Sequence, residues 1–504
     1  MTDRPNALRL HQRDNVVIAM RALTPGDALA GEGVVATEAI ANGHKAASAP
    51  IKAGEAVRKY GQVIGTATTD IAAGALVHTH NLAMSTLREE VSVSAAYGRN
   101  EPPRSFQGYR RASGKVGVRN YLGVLTSVNC SATVARHIAE AAERQGLLDD
   151  YPNIDGVVPI THASGCGMSG SGEGFEILKR TLWGTAANPN FGGVLLVGLG
   201  CEVMQIGRLR RDYGLTDNET FQSFTIQDTG GTRRAIEEGL ERLKAMLPGV
   251  GAARRQSVPA SELVLGLQCG GSDAWSGVTS NPALGVASDR LVALGGTVIL
   301  SETPEIYGAE HLLIARAAAP EVADRLRTRL AWWEDYTARN GASMDNNPSP
   351  GNKAGGLTTI LEKSLGAVAK AGGSALNEVV EYAAPIAGRG LVFMDSPGFD
   401  PCSATGQVAS GATMIAFTTG RGSAFGCKPS PSIKLSSNSD IYRRMQDDID
   451  IDCGSIATGG ATIEAKGAEI LDYLLDVASG RRSKSEALGY GGAEFVPWQV
   501  GAVM

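Results

Sequence analysis

The chain has 504 residues, 43% of them hydrophobic and 20% charged, with a formal net charge of −5. That length exceeds one ordinary core and implies about three domains. Lys and Arg are dispersed, which leaves no basic footprint for nucleic acid or an anionic membrane, so the expected partner is a small molecule. No stretch approaches the roughly 20 apolar residues of a membrane span, and the polar start MTDRPNALRLHQRDN lacks the apolar core of a secretory leader. A cytoplasmic location is therefore expected.

Residues 1–85 carry short β-like runs, Asn15 to Ala19 and Val34 to Ala36, divided by the turn phrases Pro25-Gly26-Asp27, Ala41-Asn42-Gly43 and Lys52-Ala53-Gly54-Glu55. They read as a compact all-β module. It ends on Val77-His78-Thr79-His80-Asn81, in a chain with only seven histidines. In a strand, residues i and i+2 point the same way, so His78 and His80 are candidate ligands for one divalent ion; an exposed turn is the competing reading. Residues 86–114, polar and containing Pro102-Pro103, read as a linker.

From 115 the pattern becomes strand, glycine loop, amphipathic helix. Apolar runs at 122–126, 157–160, 194–197 and 224–226 alternate with helical faces such as Val134, Ile138 and Ala141, or Ile236, Leu240 and Leu243. A boundary at 250–260 separates a second such unit, with runs at 263–267, 297–300, 391–394 and 414–417 and a polar tail after 480. The expected fold is thus multidomain: all-β over 1–85, a linker over 86–114, and two α/β units with mostly parallel sheets over 115–255 and 256–504.

Ligands of open α/β sheets sit beyond the carboxyl ends of the strands, so the residues that follow each apolar run are the candidates. They are Asn129, Cys130 and Ser131; His162 and Cys166; Cys201 and Glu202; Cys269, Ser272 and Asp273; Glu302 and Glu305; and Arg421. The three glutamates are read as metal-binding or catalytic, or else as first-turn helix charges. Arg421 can clamp a carboxylate. A polar loop at 345–359 offers Ser349 and Lys353 to a polyhydroxylated anion. Seven cysteines lie far apart with no Cys-x-x-Cys; a small Cys beside Gly is usually a packing residue, and the alternative is an iron–sulfur cluster drawing on Cys130, Cys166, Cys201, Cys269 and Cys427.

These phrases carry a resemblance. The N-terminal module, ending on VHTHNL, resembles the SAF domain. The motifs GYRRASGKVGVRNY, NCSATV, THASGCGM, GLGCE, LQCGGSDAWSGVTSNPALG, SETPEIYGAE, NNPSPGNKAGGLTTILEKSLGA, MDSPGFDPCSATGQVASGA and FTTGRGSAFGC resemble the altronate/galactarate dehydratase family over residues 10–480. The resemblance implies an Fe²⁺- or Mn²⁺-dependent hydro-lyase, a dimer, that turns a sugar acid into a 2-keto-3-deoxy acid. It implies His78 and His80 as metal ligands with Glu202 or Glu302; His162, Lys353 and Glu305 as catalytic groups; and Asn129, Ser131, Ser272, Asp273, Ser349, Lys353 and Arg421 around the substrate. The alternatives are elimination of sulfite from sulfolactate and a non-enzymatic sugar-acid sensor.

Overall fold

Glycine turns and two- to six-residue strands build the N-terminal module. In a computed structural model, which describes residues 5–85 and 101–501, the module holds an antiparallel sheet of Ala7–Leu8, Val16–Ala19, Lys45–Ala47 and Leu76–Val77, and a second of Ala56–Lys59, Gln62–Ala67 and Leu82–Ala83. Val16, Val57, Ile64 and Val77 fill one small core, and Val17, Leu23 and Ile40 another.

The linker expected at 86–114 is corrected in part. Residues 86–100 lie outside the described residues, but Ser105–Arg110 is a strand, paired antiparallel with Val116–Gly117 and with Gln256–Pro259. Phe106 and Tyr109 are buried among polar neighbours that hid the alternation. The two segments read as boundaries therefore join in one small sheet.

The second unit is a parallel sheet ordered Gly156–Ile160, Tyr121–Thr126, Phe191–Gly198, Phe221–Thr225. Helices Ala132–Arg144 and Thr232–Ala252 pack on one face, and Glu173–Ala186 and Ile206–Tyr213 on the other. The third unit is a seven-stranded parallel sheet ordered Leu376–Val380, Gly390–Met394, Thr297–Leu300, Val264–Cys269, Met414–Thr419, Ser432–Ser436, Ile451–Asp452. Its central strands are buried on both faces, which is why they appear in the sequence as unbroken apolar runs. No helix among the described residues is long and apolar enough to cross a membrane.

The tail after 480 is also corrected. Ser483 caps the short helix Lys484–Ala487, whose Glu486 pairs with the buried Arg119 at 2.7 Å. Trp498 stacks on Trp333 of the third unit at 5.4 Å, and Phe495 meets His162 of the second edge-on. Phe495 and Trp498 pack singly on different units, so the segment has no periodic apolar face to read as an element.

One buried ion triplet docks the N-terminal module on the third unit. Lys45 Nζ donates to both Glu362 carboxylate oxygens at 3.1 and 2.9 Å, and Lys59 Nζ to one at 2.9 Å; all three side chains are 1% exposed or less. Thr358 donates to the same carboxylate through its backbone N–H and its hydroxyl. Burial works against ionisation, but the two ammoniums outweigh it and hold the Glu362 carboxyl below the usual carboxylate range. A lowered folded-state value means that its contribution is present at neutral pH and is lost only as pH falls below the ordinary carboxylate pKa.

Replacing Glu362 by Gln leaves two buried ammoniums without a counter-charge, a change that costs about 3–5 kcal/mol. Urea unfolding of Glu362→Gln at pH 7 is expected to register that loss; a change below about 1 kcal/mol, the value of an exposed pair, would refute the docking role.

Candidate functional site

The helix that carries Glu362, Ile360–Ala369, starts at Thr359, whose side chain accepts from the Glu362 N–H. On it and at its end stand Lys363 and Lys370, seven residues apart and so two turns along one face. That face looks onto the carboxyl ends of two strands. Cys269 closes the central strand Val264–Cys269, Glu302 follows Thr297–Leu300, and Glu305 lies in the 3₁₀ turn Thr303–Ile306.

Cys269 Sγ and one carboxylate oxygen each from Glu302 and Glu305 lie within 4.8 Å of one another, and all three residues are buried. Lys363 Nζ donates to Glu305 Oε1 at 2.7 Å and to Asn347 Oδ1 at 2.8 Å, while Asn347 Nδ2 donates to Glu305 at 2.9 Å. Lys370 Nζ stands 3.0 Å from Cys269 Sγ and 3.9 Å from Glu302. Neither carboxylate oxygen of Glu302 accepts a hydrogen bond from the described residues. Its backbone is left-handed, φ 74°, a conformation that β-carbon residues adopt at a cost of about 1–3 kcal/mol.

The environments divide the acids. Burial first, and the Glu305 charge second, hold the Glu302 carboxyl well above its usual range. Glu305 is just as buried, but Lys363 overrides burial and holds it below the ordinary value. Asp400, at the start of helix Asp400–Ser410, is pushed up to about 6 by burial and by Glu305. Burial pushes the Cys269 thiol up to about 12. Two acids with opposite protonation beside two ammoniums form a proton-transfer constellation.

The donor set also fits a divalent transition ion. One sulfur and two carboxylates suit such an ion, and the unpartnered oxygens of Glu302 are donors without a use inside the chain. Binding would displace the thiol proton of Cys269.

The other expected residues fall into two separate groups. At the seam between the N-terminal module and the third unit, His78 Nε2 bonds the Lys353 carbonyl at 3.0 Å, Ser349 caps the short helix Pro350–Ala354, and Asn352 donates to the Ser272 carbonyl at 2.8 Å. Asp273 accepts from Ser276, Ser437 and Asn438. Arg421 is exposed beside this group, its N–H on Gly271. A small cleft with room for about one water lies between this group and the acidic cluster, lined by Tyr60, Ser272, Asp273, Cys269 and Lys363.

The second group lies in the second unit. His162 is buried, one ring nitrogen on the Thr126 carbonyl at 3.1 Å and the other accepting from Ser164 N–H at 3.2 Å; burial lowers it to about 4, so the neutral ring is fully used in holding loops together. Ser131 donates to the Val128 and Val197 carbonyls, Asn129 to the His162 carbonyl, and Glu202 accepts from Ser127 and from Gly200 N–H, both at 2.6 Å.

His78 and His80 do not converge with either expected carboxylate, Glu202 or Glu302. Among the described residues the one group of three or more His, Cys, Asp or Glu ligand atoms that converges is Cys269, Glu302 and Glu305. The His pair sits in a turn between Leu76–Val77 and Leu82–Ala83, because Asn81 accepts from His78 N–H at 2.9 Å and donates to Leu76 O at 2.8 Å. A turn removes the two-residue alternation that would have put both imidazoles on one side. Lys363, Lys370 and Asp400 were not singled out in the sequence. A lysine closing the apolar run Gly366-Ala367-Val368-Ala369-Lys370 was the available signal.

Three family models match the chain: "Altronate/galactarate dehydratase SAF domain" over residues 5–85, "D-galactarate dehydratase/Altronate hydrolase, second domain" over 108–251, and "D-galactarate/Altronate dehydratase, C-terminal" over 260–503. The chain is similar to galactarate dehydratase (L-threo-forming) of Escherichia coli K12, 39% identical over 94% of this chain and 93% of the relative. It is 35% identical to altronate dehydratase of Bacillus subtilis 168, over 94% and 95% of the two chains. The (2R)-sulfolactate sulfo-lyase subunit beta of Chromohalobacter salexigens is 32% identical over 78% of this chain and 97% of that subunit.

Of the seven cysteines, Cys130, Cys166 and Cys201 are exposed and four are buried. Metal-free protein is expected to release colour from three thiols with a disulfide reagent at pH 8, and from seven once unfolded. Reaction of Cys269 in the folded state would overturn the buried cluster.

Proposed function

The chain belongs to the galactarate/altronate dehydratase family, and on that premise we propose that it is a cytoplasmic hydro-lyase that takes water from an aldonate or aldarate to give a 2-keto-3-deoxy acid. The observation that carries the reading is the buried cluster at the strand ends, where Glu302, Glu305, Asp400 and Cys269 meet the ammoniums of Lys363 and Lys370.

The C2 proton of a carboxylate is a weak acid, and its loss needs charge stabilisation where charge develops. A divalent ion held by Cys269, Glu302 and Glu305, Fe²⁺ or Mn²⁺ in this reading, supplies Lewis-acid polarisation of the substrate carboxylate and its adjacent hydroxyl. Asp400 takes the C2 proton at its carboxylate, since a value of about 6 leaves it ionised at neutral pH yet basic enough to accept. Lys363, which lines the cleft, gives its Nζ proton to the hydroxyl that leaves C3; an ammonium is a far stronger acid than water, so the transfer runs downhill. Lys370 balances the charge beside Cys269. Ser272 and Asp273, which line the cleft, would bind the hydroxyls of a sugar acid, with Ser349 and Lys353 on the neighbouring helix that Asn352 ties to Ser272.

Loss of sulfite from sulfolactate is the second reading, because it starts from the same proton α to a carboxylate. The dehydratase relatives match at higher identity and over more of this chain than the sulfo-lyase subunit, which favours the sugar acid.

The test is anaerobic turnover of aldonates, aldarates and sulfolactate by chelator-treated enzyme with and without Fe²⁺ or Mn²⁺. Ion-restored 2-keto acid formation from a sugar acid is expected, with kcat/KM rising through pH 6 to a plateau. Asp400→Asn should lower kcat by about 10²–10⁴; unchanged kcat would remove Asp400 as base, and sulfite release would move the assignment to the second reading.

A further inference from the structure

Four of the seven cysteines are buried: Cys269 in the acidic cluster, Cys402 and Cys427 in the aromatic core of the third unit, and Cys453 in its main core. The other three are exposed, and they share one location. Cys130 follows Tyr121–Thr126, Cys166 follows Gly156–Ile160 and Cys201 follows Phe191–Gly198, three strands that are immediate neighbours in one parallel sheet. Exposed thiols are a liability that soluble proteins generally avoid, so three at one sheet edge with none exposed elsewhere call for a common cause.

The loops that carry them are tied together. Asn129 N–H, next to Cys130, donates to the Ser164 carbonyl at 2.9 Å. The carbonyl of Gly165, next to Cys166, accepts from Met204 N–H at 3.1 Å. Glu202, next to Cys201, joins Ser127 of the first loop to Gly200 of the third. The first two loops fit closely: Gly165 is left-handed at φ 97°, and a β-carbon there would lie 2.3 Å from the Ser127 carbonyl. Three thiols are thus held at fixed positions on one rim.

Two thiolates on one tetrahedral ion stand about 3.8 Å apart, from bonds of about 2.3 Å. These three sulfurs do not form a group within 4.8 Å, the only such group among the described residues being the one at Cys269. Loops that leave adjacent strands, about 4.8 Å apart across the sheet, bring three thiolates within reach of one polynuclear body.

We propose that Cys130, Cys166 and Cys201 bind an iron–sulfur cluster through three thiolates at the carboxyl edge of the second unit's sheet. Three protein ligands on a four-iron cluster leave one iron open to an oxygen donor such as a carboxylate or hydroxyl. The site uses a different sheet and different cysteines from the acidic cluster, so it goes beyond the reading above and stands or falls separately.

The experiment uses the full chain, purified without oxygen, incubated with Fe²⁺ and sulfide and desalted. Expected are about four acid-labile sulfides per chain with four irons to match, plus one further iron where the acidic cluster is loaded, and a broad brown absorption that bleaches on reduction. Cys130→Ser, Cys166→Ser and Cys201→Ser should each lose most of that colour while keeping the far-ultraviolet circular dichroism of the unaltered protein; Cys453→Ser and Cys269→Ser should keep both. Should a serine variant misfold, alkylation of the three exposed thiols before incubation must abolish the colour in the unaltered chain. Colourless protein, iron bound without sulfide, or colour lost only in Cys269→Ser would overturn the proposal, and the last result would place the iron at the acidic cluster.

Discussion

Everything proposed for the acidic cluster depends on one buried carboxylate. Glu362 faces the N-terminal module and Lys363, the next residue, faces Glu305, so the charge that docks the module and a charge that sets the protonation of the site occupy adjacent positions of one helix. Removing water from three charges is costly unless the geometry is good, and here the Glu362 carboxylate also takes two hydrogen bonds from Thr358. A module of short strands with two small cores has little apolar surface with which to hold an orientation. The ion triplet supplies the direction, and the helix registers it against the strand ends.

The same interaction explains why the two groups of expected residues separate as they do. His78, Ser349, Lys353 and Ser272 meet because the module is seated on the 349–363 region. His162, Ser131, Asn129 and Glu202 meet because parallel strands of the second unit end at one level. The residue chemistry is alike in both places, but in the second unit these polar side chains bond one another and the backbone.

Legibility in the sequence followed burial. The four strands of the second unit and the central four of the third were readable because their apolar runs are continuous, whereas the outer strands Leu376–Val380, Ser432–Ser436 and Ile451–Asp452 were not read; Glu302 and Glu305 were legible because they come directly after such a run. The strand Ser105–Arg110 was hidden by its polar alternate positions, and the C-terminal segment by aromatics that pack singly. His78 and His80 looked like strand neighbours until Asn81 folded them into a turn. Lys363, Lys370 and Asp400 escaped because a charge on a helix ordinarily marks the solvent side; only the partner surface, distant in sequence, shows that this side faces inward.

The C-terminal aromatic strap has a consequence for how the chain is made. Phe495 reaches the second unit and Trp498 the third, and both come after every strand of the two large sheets. On the ribosome each sheet can form as its own strands emerge, N-terminal first. The contacts that clamp the two units to one another become available only when the last of these residues leaves the exit tunnel. Until then the aromatic surface around Trp333 stays bare, and the nascent chain presents a sticky face for which chaperones and neighbouring chains compete.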